Sequence, residues 1–492
     1  MDPTIHPTRP AQRRRLYPVV ALTSSAVLLS LLTGTPPAQA ASTASTAYAT
    51  FAGPAALAGP AALAGPVATP GTVTTTPGAA TTAAVAGAPG HGLDRGALRG
   101  ALEAIHRAGM YGTYSAVRNG SAQWRGGAGV ADRETGRPAR PHLQHRVGSI
   151  TKTFTAVAVL QQVERGRIEL DAPIGRYLPG LIPGERGRAI TVRMLLNHTS
   201  GLGDHVLGAF PGLLEDPARA LDARRLHRFA PEELVRLGLA APAPVPRGTY
   251  AYSNTNYVIA GLLLREVTGQ EPEQYITRHV IRAAGLRHTY FPRTPRLTGP
   301  HAKMYESMYG LIEPARDYSV YDMSWCGTAG SLVSTVEDLN TFYRRLLSGG
   351  LLGRAGLAAM KTTVPTYEPP PGEEVAMRYG LGIYTMRLPD GRWYWGHDGG
   401  VFGAGTWALS TEDGRRQVAI GYNLMKYQRF DEQGRPLDHP IDAAMLRYVT
   451  SALGGTMEGA RADAAAGGLL TPPSSAASDA LRRKASEASA RR

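Results

Sequence analysis

The chain is poor in cysteine, in lysine and in long apolar runs. One residue in 492 is cysteine, Cys326, so no internal disulfide can form and stability must come from burial. Hydrophobic residues at 43% and charged residues at 19% allow a large core. Of the 53 Lys and Arg residues only five are Lys. The net charge of +14 is therefore carried by arginines, which are scattered along the chain rather than gathered on one element. That pattern speaks against nucleic-acid binding and suits a polyanionic surface such as a cell wall. There is no His-Glu-x-x-His and no acidic calcium loop, so no metal and no cofactor is expected. The absence of a Gly-x-Ser-x-Gly elbow excludes the usual α/β-hydrolase arrangement.

The N-terminal apolar run, Val19 to Leu32, falls short of the ~20 residues that span a bilayer. It follows Arg9 and Arg13 to Arg15 and precedes Ala38-Gln39-Ala40. Residues 1–40 thus read as an export signal cleaved before Ala41, which leaves no stable membrane span and a secreted protein. Residues 41–91 are rich in Ala, Thr, Gly and Pro and contain no Asp, Glu, Lys or Arg, the composition of a disordered linker. Residues 92–454 form one domain, and residues 455–492, again small and polar, read as a disordered tail. Within the domain, helical spacing at Leu93–Ala108 is followed by strands at Gly112–Arg118 and Ala122–Val130, joined at Asn119-Gly120. A long helical middle includes Ser149–Arg165, Asn254–Thr268 and Pro272–Gly285. Strand patterns return at Leu381–Leu388, Trp393–Trp395, Gly405–Leu409 and Gln417–Asn423, before a helix at Ile441–Leu453. The expected fold class is α+β: an antiparallel sheet flanked by terminal helices, with an inserted helical lobe and a cleft between them.

Three segments carry chemistry. In Arg146-Val147-Gly148-Ser149-Ile150-Thr151-Lys152, a serine and a lysine three residues apart share one face of a helix. A serine hydroxyl needs a base, and a buried amine that has lost its proton can serve. Arginine cannot take that role, so a lysine here in an arginine-writing chain is informative. In Tyr250-Ala251-Tyr252-Ser253-Asn254, a turn delivers Tyr252 and Asn254 just ahead of a helix. In Trp395-Gly396-His397-Asp398-Gly399-Gly400, glycines on a strand permit close approach of a ligand to the backbone.

In this order the three segments match the Ser-x-x-Lys, Tyr-x-Asn and Lys/His-x-Gly set of penicillin-recognising serine enzymes. The chain resembles the β-lactamase/DD-peptidase superfamily, with its nearest likeness to soluble exported serine D-alanyl-D-alanine carboxypeptidases. Class C β-lactamases and family VIII esterases are relatives of that group. Further likeness lies in Leu196-Asn197-His198-Thr199-Ser200-Gly201-Leu202, Gly327-Thr328-Ala329-Gly330 and Tyr379-Gly380-Leu381-Gly382. The resemblance implies an acyl-enzyme on Ser149, with Lys152 and Tyr252 sharing the base and acid roles in an order left open. It further implies that Asn254 positions the substrate amide and that His397 helps relay a proton to the leaving group. The backbone N–H groups of Ser149 and Gly400 would form the oxyanion hole beside Gly399, and Trp325 an aromatic wall. Cys326 would be a buried bystander.

The likeness breaks where such carboxypeptidases hold the terminal carboxylate of the peptide. Asp398, Gly400 and Tyr384 stand where hydroxyls and a guanidinium are expected. An anion beside a bound carboxylate is repulsive. Three readings follow: a carboxypeptidase-like enzyme of cell-wall peptides, an esterase, amidase or β-lactamase, and a penicillin-acylated sensor with poor turnover. The partner in each case is a small peptide, ester or β-lactam.

Overall fold

The computed structural model describes residues 92–369, 374–431, 435–456 and 475–490. The expected export signal at 1–40 and linker at 41–91 lie outside them. The first described helix, α1 (Arg95–Arg107), is capped by the Asp94 carboxylate, which accepts from the Ala97 N–H at 2.8 Å. Its stripe of Leu98, Leu102 and Ile105 is buried. Strands β1 (Gly112–Asn119) and β2 (Ala122–Gly129) form the expected hairpin.

The chain then leaves the sheet for a helical lobe built around α2 (Thr151–Glu164) and α3 (Asn254–Thr268). After α4 (Val336–Leu347) it returns through β3 (Val364–Pro365), β4 (Met377–Tyr379), β5 (Tyr384–Arg387), β6 (Trp393–Val401), β7 (Ala404–Ser410) and β8 (Arg416–Tyr422). The eight strands lie in the order β2-β1-β8-β7-β6-β5-β4-β3, every neighbouring pair antiparallel. The N-terminal hairpin is thus closed by the last strand, which gives the α+β architecture expected. Helix α5 (Pro440–Ala452) packs beside α1.

The alternation of side chains along a strand divides the core. On β8, Val418 and Ile420 join the apolar cluster under α1 and α5, while Ala419 between them joins the cluster formed by the helical lobe and α4. Helix α2 is buried almost all round, the mark of a central helix. Its Phe154 ring stacks on Phe342 of α4, with centroids 3.7 Å apart. Among the described residues no helix is long and apolar enough to cross a membrane.

Three expectations need correction. The helix from Pro272 ends at Ile276 and continues as a wider π-turn over Thr277–Ile281. The strand that starts at Trp393 runs on to Val401, because cross-strand partners extend to the pair Val401–Ala404. The C-terminal stretch read as a disordered tail contains a helix, α6 (Ala476–Ala490), whose Ala477, Leu481 and Ala485 are buried in the main apolar cluster. Its single large apolar residue made the amphipathic stripe too weak to read.

Candidate active site

Ser149 sits in a one-turn 3-10 helix, Gly148–Ile150, that leads directly into α2. Two close approaches hold this turn against β6. Gly148 has φ +51°, and a Cβ there would come within 2.6 Å of the Gly400 nitrogen. A Cβ on Gly399 would lie 1.9 Å from the Val147 carbonyl oxygen and 2.9 Å from the Ser149 nitrogen. Glycine at both positions lets the Ser149 turn and β6 approach closely, and Ser149 and Gly400 line one cleft. Arg146, fully buried two residues before the turn, donates to the carbonyls of Pro295, Tyr318 and Tyr321, each at 2.9 Å. A guanidinium surrounded by carbonyls in this way acts as an internal strut.

Lys152 is buried one turn along from Ser149. Its ammonium donates to Ser149 Oγ at 3.0 Å, to Asn254 Oδ1 at 2.8 Å and to the Ala329 carbonyl at 2.9 Å. The Ala329 carbonyl is delivered by the segment Gly327–Gly330, which is clamped between α2 and α3. Thr155 donates to the Thr328 carbonyl, and Thr328 donates to the Tyr257 carbonyl, both at 2.8 Å. Burial lowers the Lys152 pKa to about 7, against the opposing pull of Asp204, Cys326 and Asp398. Near neutral pH the amine is therefore free to accept a proton from the hydroxyl 3.0 Å away.

Tyr252 lines the cleft with Ser149, its ring set over the Lys152 ammonium that holds the serine hydroxyl. Burial holds the phenol well above its ordinary range, so it is neutral and can both donate and accept. Its ring lies 4.7 Å from the Lys152 ammonium and stacks on the His198 imidazole at 4.2 Å. His198 accepts the Ser253 N–H at Nδ1, which fixes the loop that carries Tyr252. Asn254 caps the arrangement from the start of α3: its Oδ1 accepts from Lys152, and its Nδ2 donates to Asp204 Oδ2 at 2.9 Å. Asp204, His198 and Arg146 were not singled out from sequence. Two of them lie in or beside quoted segments, but nothing in their local spacing marks a role.

The β6 pleat decides the rest. Asp398 and Gly400 line the cleft with Ser149, Tyr252, Asn254 and Trp325. His397 and Gly399 do not line it, and His397 is held by Tyr379 instead of opening onto the cleft, which corrects the expectation that His397 faces the leaving group. His397 Nδ1 donates to the Asp398 carbonyl, so Nε2 accepts from the Tyr379 hydroxyl at 2.8 Å. Burial takes its pKa down to about 3, and the ring is a neutral spacer behind the site. Trp325 forms the expected aromatic wall, stacked on Phe402. The Cys326 thiol beside it is pushed up to about 12 by burial and stays unreactive. Asp398 is buried near Tyr384, and desolvation raises its carboxyl to about 7.

A serine beside an amine that loses its proton near pH 7, with a neutral phenol on the same cleft, is equipped for acyl transfer. The β-lactamase family model matches residues 115–440, and the chain belongs to this family of serine hydrolases. Among solved structures it is similar to a D-stereospecific amidohydrolase from Streptomyces sp., at 36% identity and TM-score 0.60 over 68% of this chain and 95% of that one. The octameric penicillin-binding protein homologue from Pyrococcus abyssi shares the fold, with TM-score 0.59 at 23% identity over 75% of this chain and 79% of that one. Curated relatives include the putative penicillin-binding protein PbpX of Bacillus subtilis, 28% identical over 56% of this chain and 62% of its own length. Esterase EstB of Burkholderia gladioli is 34% identical over 36% of this chain and 45% of its own length. The chain spans less than two thirds of either curated relative.

Proposed function

We propose that this chain is an exported amide hydrolase that works through an acyl-enzyme on Ser149 and takes substrates bearing a free amine. Lys152, as the neutral amine, accepts the Ser149 proton while Oγ attacks the substrate carbonyl carbon. The backbone N–H groups of Ser149 and Gly400 hold the resulting oxyanion. Tyr252, neutral and facing the cleft with Ser149, donates a proton to the leaving nitrogen as the C–N bond breaks, and Lys152 resupplies that proton. Water then attacks the ester by the reverse route and frees the acid. Asn254 sets the position of Lys152 and of the substrate amide.

The observation that carries the substrate class is Asp398, a buried carboxylate in the cleft beside Ser149. A substrate ammonium there favours the ionised carboxylate and is held by it, whereas a terminal carboxylate is repelled. The likeness to a D-stereospecific amidohydrolase supports this reading and points to amides of D-amino acids. The carboxypeptidase reading retains support from the PbpX likeness, and the esterase reading from EstB.

Turnover of D-alanine amide and its N-acetylated form, an N-acylated D-Ala-D-Ala peptide, p-nitrophenyl butyrate and nitrocefin separates these. The free-amine amide is expected to exceed its acetylated form by tenfold or more in kcat/KM, the scale of a charge-assisted hydrogen bond of about 1.5–3 kcal/mol. Asp398→Asn is expected to erase that preference. A preference for the N-acylated peptide would return the protein to the carboxypeptidase class. Labelling by penicillin without turnover of any substrate would make it a sensor.

A further inference from the structure

The cleft has a wall that the sequence does not announce. Alongside Ser149, Tyr252 and Asp398 it is lined by Ser475, Ala477, Ser478, Leu481 and Arg482, from the C-terminal helix α6 and the residue before it. The helix is seated by Leu481, Ala477 and Ala485 in the apolar cluster that includes Tyr309 and Phe430. It packs on the turn Met308–Gly310, and Ser486 Oγ donates to the Asp431 carbonyl.

Two cations line this cleft, Lys426 and Arg482, and a third, Lys152, lies buried next to Ser149. Lys152 is spent on Ser149, Asn254 and Ala329. Lys426 is neutralised by the fully buried Glu306, at 2.9 Å. Arg482 is different. Its side chain is 19% exposed, and its carboxylate neighbour among the described residues is Asp479 on the same helix at 3.6 Å, too long for a hydrogen bond. Its Nε is buried without a hydrogen-bond partner, and the guanidinium carbon lies 6.0 Å from the Phe430 ring centre. A planar fork of donors held in a half-apolar cleft matches a carboxylate in two-point fashion.

We propose that α6 is a built wall of the substrate cleft and that Arg482 binds a carboxylate of the substrate. The preferred substrates are then short peptides that present an amine to Asp398 and a carboxylate to Arg482. This rests on the amide-hydrolase reading of the same site and narrows it. Asp398 and Arg482, of opposite sign, come from unrelated parts of the chain, β6 and α6, and together suit the two ends of a zwitterion.

The test compares D-alanine amide with D-alanyl-D-alanine on the full chain and on Arg482→Gln and Arg482→Lys. The wild type is expected to favour the dipeptide. Arg482→Gln is expected to raise KM for the dipeptide about tenfold with kcat nearly unchanged, and to leave the amide within twofold. Arg482→Lys, which keeps the charge and the packing stem, is expected to recover part of the loss. Equal changes on both substrates, or none on either, would overturn the proposal by showing that Arg482 only seats the helix. Failure of the parent reading looks different: the wild type would then cleave neither free-amine substrate.

Discussion

Lys152 and Asp398 carry the pH behaviour of the site, and each is displaced toward neutrality by burial. The amine falls to about 7 and the carboxyl rises to about 7. With Lys152 as the proposed base, Ser149 is activated only when Lys152 is deprotonated, so kcat/KM on a neutral ester is expected to rise with pH along a limb centred near 7. Asp398 helps to hold the Lys152 pKa up. Asp398→Asn removes that anion, and the limb on the ester is expected to move to lower pH. A pH–rate profile of the two proteins checks this, and an unmoved limb would mean that Asp398 and Lys152 do not sense each other. At this scale the sequence was informative for Ser149, Lys152, Tyr252 and Asn254, whose roles depend on short spacing. It was silent on Asp204, which meets Asn254 across fifty positions of chain.

At the scale of the element, the decisive contact is between the Ser149 turn and strand β6. The two meet through glycine, with no room for a Cβ on Gly399 between the Val147 carbonyl and the Ser149 nitrogen. Gly399→Ala is expected to push apart the Ser149 and Gly400 N–H groups proposed as oxyanion donors and lower kcat by about a hundredfold, the cost of losing one such donor. The far-UV circular dichroism should stay unchanged, and activity within twofold of wild type would show that the contact yields without cost. The same strand explains why His397 was misplaced from sequence. A motif names three consecutive residues, but a pleat sends alternate side chains to opposite faces. Asp398 therefore lines the cleft and His397 meets Tyr379.

Over the whole molecule, the site is maintained at the expense of stability. The sign follows from the Asp398 carboxyl, raised from 3.8 to about 7 in the fold. The native state then binds more protons than the unfolded chain between these values, so this group's contribution declines as pH climbs through 4 to 7. Asp398→Asn keeps an acceptor near Tyr384 without the buried charge. Its gain in urea-unfolding stability over wild type is expected to be larger at pH 8 than at pH 5. A gain independent of pH would mean that Asp398 stays ionised at both. Whole-molecule packing also decided the fate of α6. Its sequence holds six alanines and one leucine in fifteen residues, too little apolar area to demand burial by itself. It is held because the cleft rim around Tyr309 and Phe430 offers a complementary apolar surface.

By itself the sequence singled out Ser149, Lys152 and Tyr252 and determined the α+β architecture and the order of the strand-bearing segments. Each of these depends on interactions over a few residues: helical spacing, a turn before a helix, the period of a strand. Only the tertiary structure decided that His397 stands behind the cleft, that Asp204 and His198 hold Asn254 and Tyr252, and that Arg482 enters the site from the last helix. Those placements join residues up to 333 positions apart, from Ser149 to Arg482. Proximity of that kind arises from the packing of α6, the lobe and the sheet around one cleft, and no local pattern encodes it.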